Sequence, residues 1–473
     1  MTYPVIIQGG MGAGVSGWQL AKVVSRMGQL GVISGTALDQ ILARRLQLGD
    51  PGGHLRRALQ HFPDAEMVDR TLDAFYIPDG KSETTPYIKY PLIALDANPI
   101  IQELTILGNF AEVFLAKEGH ENPVGVNLLE KIQLPNLFAL YGAMLAGVDY
   151  VIMGAGIPRE IPGVLDRLSE HKNVSLKIFV EEANRHDDFR VSFDPNIFLK
   201  QKLPFLKRPK FLAIISSVTL ALMMKKKATG KVDGFVIEAP VAGGHNAPPR
   251  GKFALNEKGE PVYGKRDVVD FEKIKALNLP FWLAGSWGNP NKLKEAIACG
   301  AQGIQIGTAF AFSEESGFTT EVKTKIIQSI LHGDASVFTD PVASPTGFPF
   351  KVLSVNGTLS EKNVYQARHR VCDLGYLRHP YKKSDGTVGY RCPAEPDSAY
   401  FKKGGKPSDI EGKKCLCNAL LSNIGLAQSR KNGYSENSLI TSGDDILTVA
   451  RILGQRSSYH AEDVVNWLLN GHK

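Results

Sequence analysis

Eight short apolar runs, each bounded by glycine or proline and most followed by a helical pattern, predict an α/β chain folded as a (β/α)8 barrel of the TIM type. Strand–helix alternation implies a parallel sheet, and the count of eight favours closure over an open sheet. A third sign is the placement of glycine-rich loops after several of these runs, where a barrel carries its functional groups.

The first run, Val5–Gly9, leads into a helix over Trp18–Met27, and Leu30–Ser34 follows. Val124–Leu128 leads into Asn136–Ala146, and Tyr150–Met153 into Glu160–Ser169. Phe211–Ser216 leads into Val218–Ala228, whereas Phe235–Glu238 opens onto a histidine loop. Phe281–Ala284 precedes Asn291–Cys299, and Gly303–Ile306 precedes Thr320–His332. Two stretches break the rhythm and read as insertions, about 37–91 and 174–210. The second holds two extended runs, Leu176–Val180 and Phe189–Phe193, expected to form a hairpin. The expected division is a barrel over 1–340 and a mainly helical C-terminal appendage over 341–473, with helices at Leu416–Ala427 and Ala461–Leu469.

Composition narrows the function classes. The 473 residues are 43% hydrophobic and 22% charged, enough to build a large core. The net charge of +7 is modest and scattered. Lys225–Lys227 reads as a solvated helix end, so no nucleic-acid partner is expected. No run of 18 or more apolar residues suggests a membrane span. The N-terminus lacks a basic leader, so the cytoplasm is the expected compartment. Five cysteines at irregular spacing do not form a secreted disulfide framework.

Three loops carry the candidate chemistry. Gly9–Gly17 contains Gly12-x-Gly14-x-x-Gly17, formally a dinucleotide fingerprint. The next strand ends without the acidic residue that would take a ribose, and the element count is wrong for an open sheet. Glycines there suit close approach of a flat ligand to backbone. Pro240–Gly251 places His245 on a glycine-hinged loop after a buried strand. Leu283–Asn289 and Ile304–Ala309 follow the last two strands, where phosphates bind backbone amides. Gly285, Ser286, Gly307 and Thr308 supply open N–H groups and two hydroxyls for a phosphate monoester. His54, His61, His120, His171 and His186 lie in charged contexts and read as surface residues. No zinc or Ser/His/Asp motif is present in the sequence.

Gln8-Gly-Gly-Met-Gly12, Gly125-Val-Asn127, Gly243-Gly-His245 and the two terminal loops, in that order, resemble the nitronate monooxygenase (2-nitropropane dioxygenase) family. These are FMN-dependent barrels related to FMN-containing enoyl-acyl-carrier-protein reductases, and the resemblance covers roughly residues 3–335. It implies FMN as cofactor, with Gly10, Met11 and Gly12 lining the isoalloxazine, Asn127 hydrogen-bonding it and Ser216 nearby. Gly243 and Gly244 join this set, while Gly285, Ser286, Gly307 and Thr308 would hold the phosphate. His245 would act as base or substrate-positioning group. The chain departs from the family where a second glycine is replaced by Ser286, and where Glu-Ala-Gly-Gly-His-Arg-Gly becomes Val-Ala-Gly-Gly-His-Asn-Ala.

The leading expectation is oxidation of alkyl nitronates with O2. Histidine suits proton abstraction if the neutral nitroalkane is also used, because its ordinary pKa lies near physiological pH. The alternatives are an NAD(P)H-dependent FMN enoyl-thioester reductase and a non-catalytic flavin or phospho-ligand binding protein. A homo-oligomer is compatible with the barrel, but no interface is legible. Cys372, Cys392, Cys415 and Cys417 fall within 46 residues, as C-x19-C-x22-C-x-C. That spacing matches no common zinc or cluster signature. No metal is assigned; buried thiols, a metal and a redox pair stay open.

Overall fold

In the computed structural model, residues 3–96, 98–199, 201–430 and 432–471 are described. Among them, eight parallel strands close on themselves in the order β1-β10-β9-β8-β7-β4-β3-β2. They are β1 (Ile6–Gln8), β2 (Leu30–Ser34), β3 (Val124–Leu129) and β4 (Tyr150–Gly154), followed after a hairpin by β7 (Lys210–Ile215), β8 (Gly234–Glu238), β9 (Phe281–Ala284) and β10 (Gly303–Ile306). Every expected strand is present. β1 seals the barrel by pairing with β10, Ile6 opposite Ile304, and with β2, Ile7 opposite Leu30. Gly303 is needed at that seam: a Cβ there would lie 1.7 Å from the Val5 carbonyl oxygen.

Side chains alternate across each strand. Ile7, Val32, Ile152, Leu212, Val236 and Trp282 pack together inside the barrel, while their neighbours in sequence join the larger core beneath the helices. The inward positions one step further on therefore face the C-terminal mouth. They are Gly9, Ser34, Asn127, Gly154, Ile214, Glu238, Ala284 and Gln305. Small residues on four strands leave room, and three polar ones supply chemistry.

The insertion after β2 is helical, with helices at Leu38–Gln47, His54–Leu59 and Ala65–Phe75. It is followed by the helix Pro99–Lys117, whose apolar residues are interrupted by Gln102, Glu103, Asn109 and Glu112. Its 19 residues and mean hydropathy of 1.2 are sufficient to cross a bilayer. Here it packs between the helices Leu38–Gln47 and Asn136–Leu145, and 72% of its most apolar window is buried. Burial in the outer layer accounts for its apolar character. The expected hairpin is β5 (Val174–Lys177) with β6 (Arg190–Phe193), shifted slightly toward the N-terminus on its first arm.

Beyond residue 336 two more antiparallel pairs form, β11 (Val337–Asp340) with β12 (Phe350–Leu353), and β13 (His379–Lys382) with β14 (Val388–Arg391). The sequence reading expected mainly helix here. The helices it named form at Leu416–Ser422 and Ala461–Asn470. This C-terminal segment is anchored to the barrel insertions. Arg391 bonds Glu181 and Glu182 at 2.7 Å each, and Tyr90 donates to Asp39, which also pairs with Tyr376.

Candidate active site at the barrel mouth

A cavity of about 1700 Å³, open mouth included, lies over the C-terminal ends of the strands. Gly10, Met11, Gly12, Asn127, Gly243, Gly244, His245, Gly285, Ser286, Gly307 and Thr308 all line it. Ser216 is not part of that lining; its carbonyl accepts a hydrogen bond from Arg250 at 2.9 Å.

The glycine loop is held from below. Gln8 Nε2 donates to Ser16 Oγ at 2.9 Å, the Met11 N–H donates to the same oxygen at 3.0 Å, and Gln8 Oε1 accepts from Val32 N at 3.0 Å. Gly10 crosses directly over β3, where a Cβ would sit 2.5 Å from the Asn127 Cβ. Asn127 donates its amide to Ile152 O at 3.0 Å, which leaves its oxygen toward the loop. A flat ligand could therefore rest on backbone here.

At the opposite end, Gly285 has φ +92° and Ser286 φ +55°, the left-handed region that favours glycine. A non-glycine there is strained by roughly 1 kcal/mol. Among the described residues, Ser286 Oγ and Gln305 Oε1 are buried without hydrogen-bond partners. Both are free to meet a polar group of a bound ligand. A cradle with small floor residues and unfilled polar atoms fits a phosphorylated aromatic cofactor.

His245 is fixed by C-terminal residues. Its Nε2 meets Ser344 Oγ at 2.7 Å, its ring lies 4.9 Å from Phe350, and Lys351 N donates to Gly244 O at 2.9 Å. Burial lowers its pKa to about 4, so the imidazole is neutral at physiological pH. The sequence reading missed Glu238. Its signal was there: an acid two residues beyond inward-facing Val236 on a buried strand. Glu238 lines the cavity, has no hydrogen-bond or ion partner among the described residues, and is pushed up to about 8 by burial. At neutral pH it holds a proton.

The C-terminal segment also supplies cavity wall, including Tyr376, Leu416, Cys417, Thr441 and Asp445. The sequence left open whether this tail reaches the site. Of the histidines expected at the surface, His61 and His186 are exposed and His54 and His120 half-buried. His171 is buried instead, with Nδ1 2.9 Å from Tyr141 Oη and Nε2 2.8 Å from Pro204 O. Cys372, Cys392, Cys415 and Cys417 converge around one small void. Among the described residues no group of three or more His, Cys, Asp or Glu is placed to hold a metal. Burial raises all four thiol pKa values, that of Cys417 to about 12.

Fold and cavity define an enzyme-type (β/α)8 barrel with its binding site at the C-terminal mouth. The family model for nitronate monooxygenase matches residues 191–354 of the 473, a stretch that includes the histidine loop and the last two barrel loops. A probable nitronate monooxygenase of Bacillus subtilis is 35% identical over 114 residues, 24% of this chain and 30% of that protein. One from Staphylococcus saprophyticus is 26% identical over 335 residues, 69% of this chain and 70% of that protein. The match to the Bacillus protein thus spans under a third of that relative's length. FabK from Thermotoga maritima shares the fold, with a TM-score of 0.50 at 16% identity, covering 99% of this chain and 93% of FabK.

Proposed function

We propose that this chain is a flavin-dependent oxidoreductase that oxidises alkyl nitronates, with FMN held at the barrel mouth. The observation that carries the reading is that His245, Gly285–Ser286 and Gly307–Thr308 all lie within the family-matched residues and all line one cavity. FMN, when bound, would supply the acceptor for electrons removed from the substrate. Gly10, Met11 and Gly12 would line the ring system, with Asn127, Gly243 and Gly244 around it. Gly285, Ser286, Gly307 and Thr308 would face the phosphate. The barrel, 1–340, would carry the chemistry, and the appendage, 341–473, would close the mouth.

The two acid–base groups divide the work. His245, neutral and tied to Ser344, is a hydrogen-bonding group that orients the nitro oxygens of the substrate. Glu238, unpartnered among the described residues and with a pKa near the working pH, is better matched to take the α-carbon proton, a role open to its ionised form, which grows as pH rises toward about 8. A nitronate has already lost that proton, so Glu238 matters for neutral nitroalkanes.

The test is nitrite release from propionate-3-nitronate in air. The wild-type protein should release nitrite, and H245N should release it at least tenfold more slowly. Unchanged turnover in H245N would make the histidine a spectator, and no nitrite from the FMN-loaded wild type would overturn the reading.

A further inference from the structure

The segment Thr441–Asp445 is threaded between the histidine loop and the last two barrel loops. Gly244 N donates to Thr441 Oγ1 at 2.7 Å, Gly443 N to Thr308 Oγ1 at 3.0 Å, and Asp444 N to Val241 O at 3.1 Å. The fit is close: a Cβ on Gly243 would lie 2.9 Å from Gly443 N. Asp444 turns outward and pairs with Lys351 Nζ at 2.7 Å. Asp445 turns inward. Its carboxylate lies on the cavity wall beside Thr308 and Gly288: a Cβ on Gly443 would meet Asp445 Oδ1 at 2.8 Å and Thr308 Oγ1 at 3.0 Å, and one on Gly288 would meet Asp445 Oδ2 at 3.2 Å. Both neighbours belong to the loops proposed for the phosphate, and among the described residues no cation pairs with Asp445.

A carboxylate beside those loops already occupies part of an anion cradle. We infer that Asp445 is an internal competitor for the phosphate end of the cavity, weakening the site's grip on a phosphate monoester relative to the same ligand without phosphate. Two anions side by side in a poorly solvated place repel strongly. The Gly443 N–H is bonded to Thr308 Oγ1 and the Asp445 carboxylate lies alongside, so an entering phosphate must displace the carboxylate or accept its company. Burial also raises the Asp445 pKa, which is the expected response of an acid held without a counter-ion. Ring contacts with the glycine loop, rather than the phosphate, would then supply most of the flavin affinity.

The inference rests on the flavin reading above, and one experiment separates the two. The flavin-free full chain, as wild type and as D445N, is titrated with FMN and with riboflavin by quenching of flavin fluorescence. The side chain in D445N keeps the size and shape of the carboxylate, so chiefly the charge is removed. D445N should bind FMN on the order of tenfold more tightly than wild type, with riboflavin affinity almost unchanged. Inorganic phosphate should raise the melting temperature of D445N more than that of the wild type. An unchanged FMN-to-riboflavin ratio would overturn the role of Asp445 while leaving the flavin site intact. Failure of both proteins to bind either flavin would overturn the flavin reading and the inference with it. D445S, which also removes the charge, serves if D445N does not fold.

Discussion

His245 Nε2 lies 2.7 Å from Ser344 Oγ, so a histidine from the loop after β8 is held by a hydroxyl from the segment just beyond the last barrel elements. Ser344 is itself fully buried and bonded to Thr346 Oγ1 at 2.8 Å. Histidine orientation at the mouth thus depends on the C-terminal segment as much as on the barrel.

Replacing Ser344 by Ala leaves Nε2 without its partner in a buried place. We expect a loss of about 1–2 kcal/mol in denaturant unfolding. Turnover should fall roughly tenfold while flavin affinity stays level, because the imidazole loses its orientation and the cofactor contacts remain.

The two perturbed acids give opposite pH limbs. The folded His245 pKa is lowered to about 4, so between the unfolded value of ~6.5 and pH ~4 only the unfolded chain takes up the proton. Stability therefore drops by about 3 kcal/mol as pH falls through that window. Glu238 is raised to about 8, so the folded chain keeps a proton that the unfolded chain has lost. Stability drops by roughly 5 kcal/mol as pH rises from ~4.5 to ~8. Melting curves of the flavin-free protein across pH 4–9 check both: H245N should flatten the acid limb, and E238Q the alkaline one.

Gly10→Ala places a methyl on Asn127, where the Cβ would lie 2.5 Å away. Overpacking of this kind costs about 1–3 kcal/mol. The loop must lift from β3, so flavin retention should fall more steeply than melting temperature, measured on the same preparation by visible absorbance and calorimetry.

Thiol titration addresses the C-terminal cysteines. With burial holding Cys372, Cys392, Cys415 and Cys417 as neutral thiols, an aromatic disulfide reagent should modify them in the native protein at least tenfold more slowly than in urea. Metal analysis should find no stoichiometric zinc or iron; one metal per chain would contradict the thiol reading.

Barrel strands were legible because each is a short apolar run ended by glycine or a polar residue, as Phe281–Ala284 before Gly285 illustrates. The loops were legible for the same reason: Gly10, His245 and Gly307 sit directly after strands, so local order predicts their common location. Glu238 was readable only by carrying the inward alternation from Val236 one step further. Asp445 and Ser344 were not readable at all. Their neighbours in the cavity wall, Thr308 and His245, lie 137 and 99 residues away in sequence, and no local periodicity encodes contacts of that range. The pairing of β11 with β12 was hidden similarly, since four-residue strands in a polar, glycine-punctuated stretch give little alternation.

Under the proposed function, electrons enter this site from a nitronate. The decisive measurement mixes the FMN-loaded protein anaerobically with propionate-3-nitronate and, separately, with NADPH and NADH, following the visible flavin bands. The nitronate should bleach them, and neither nicotinamide should do so within the same time. Bleaching by a nicotinamide alone would contradict that function and make the protein a reductase.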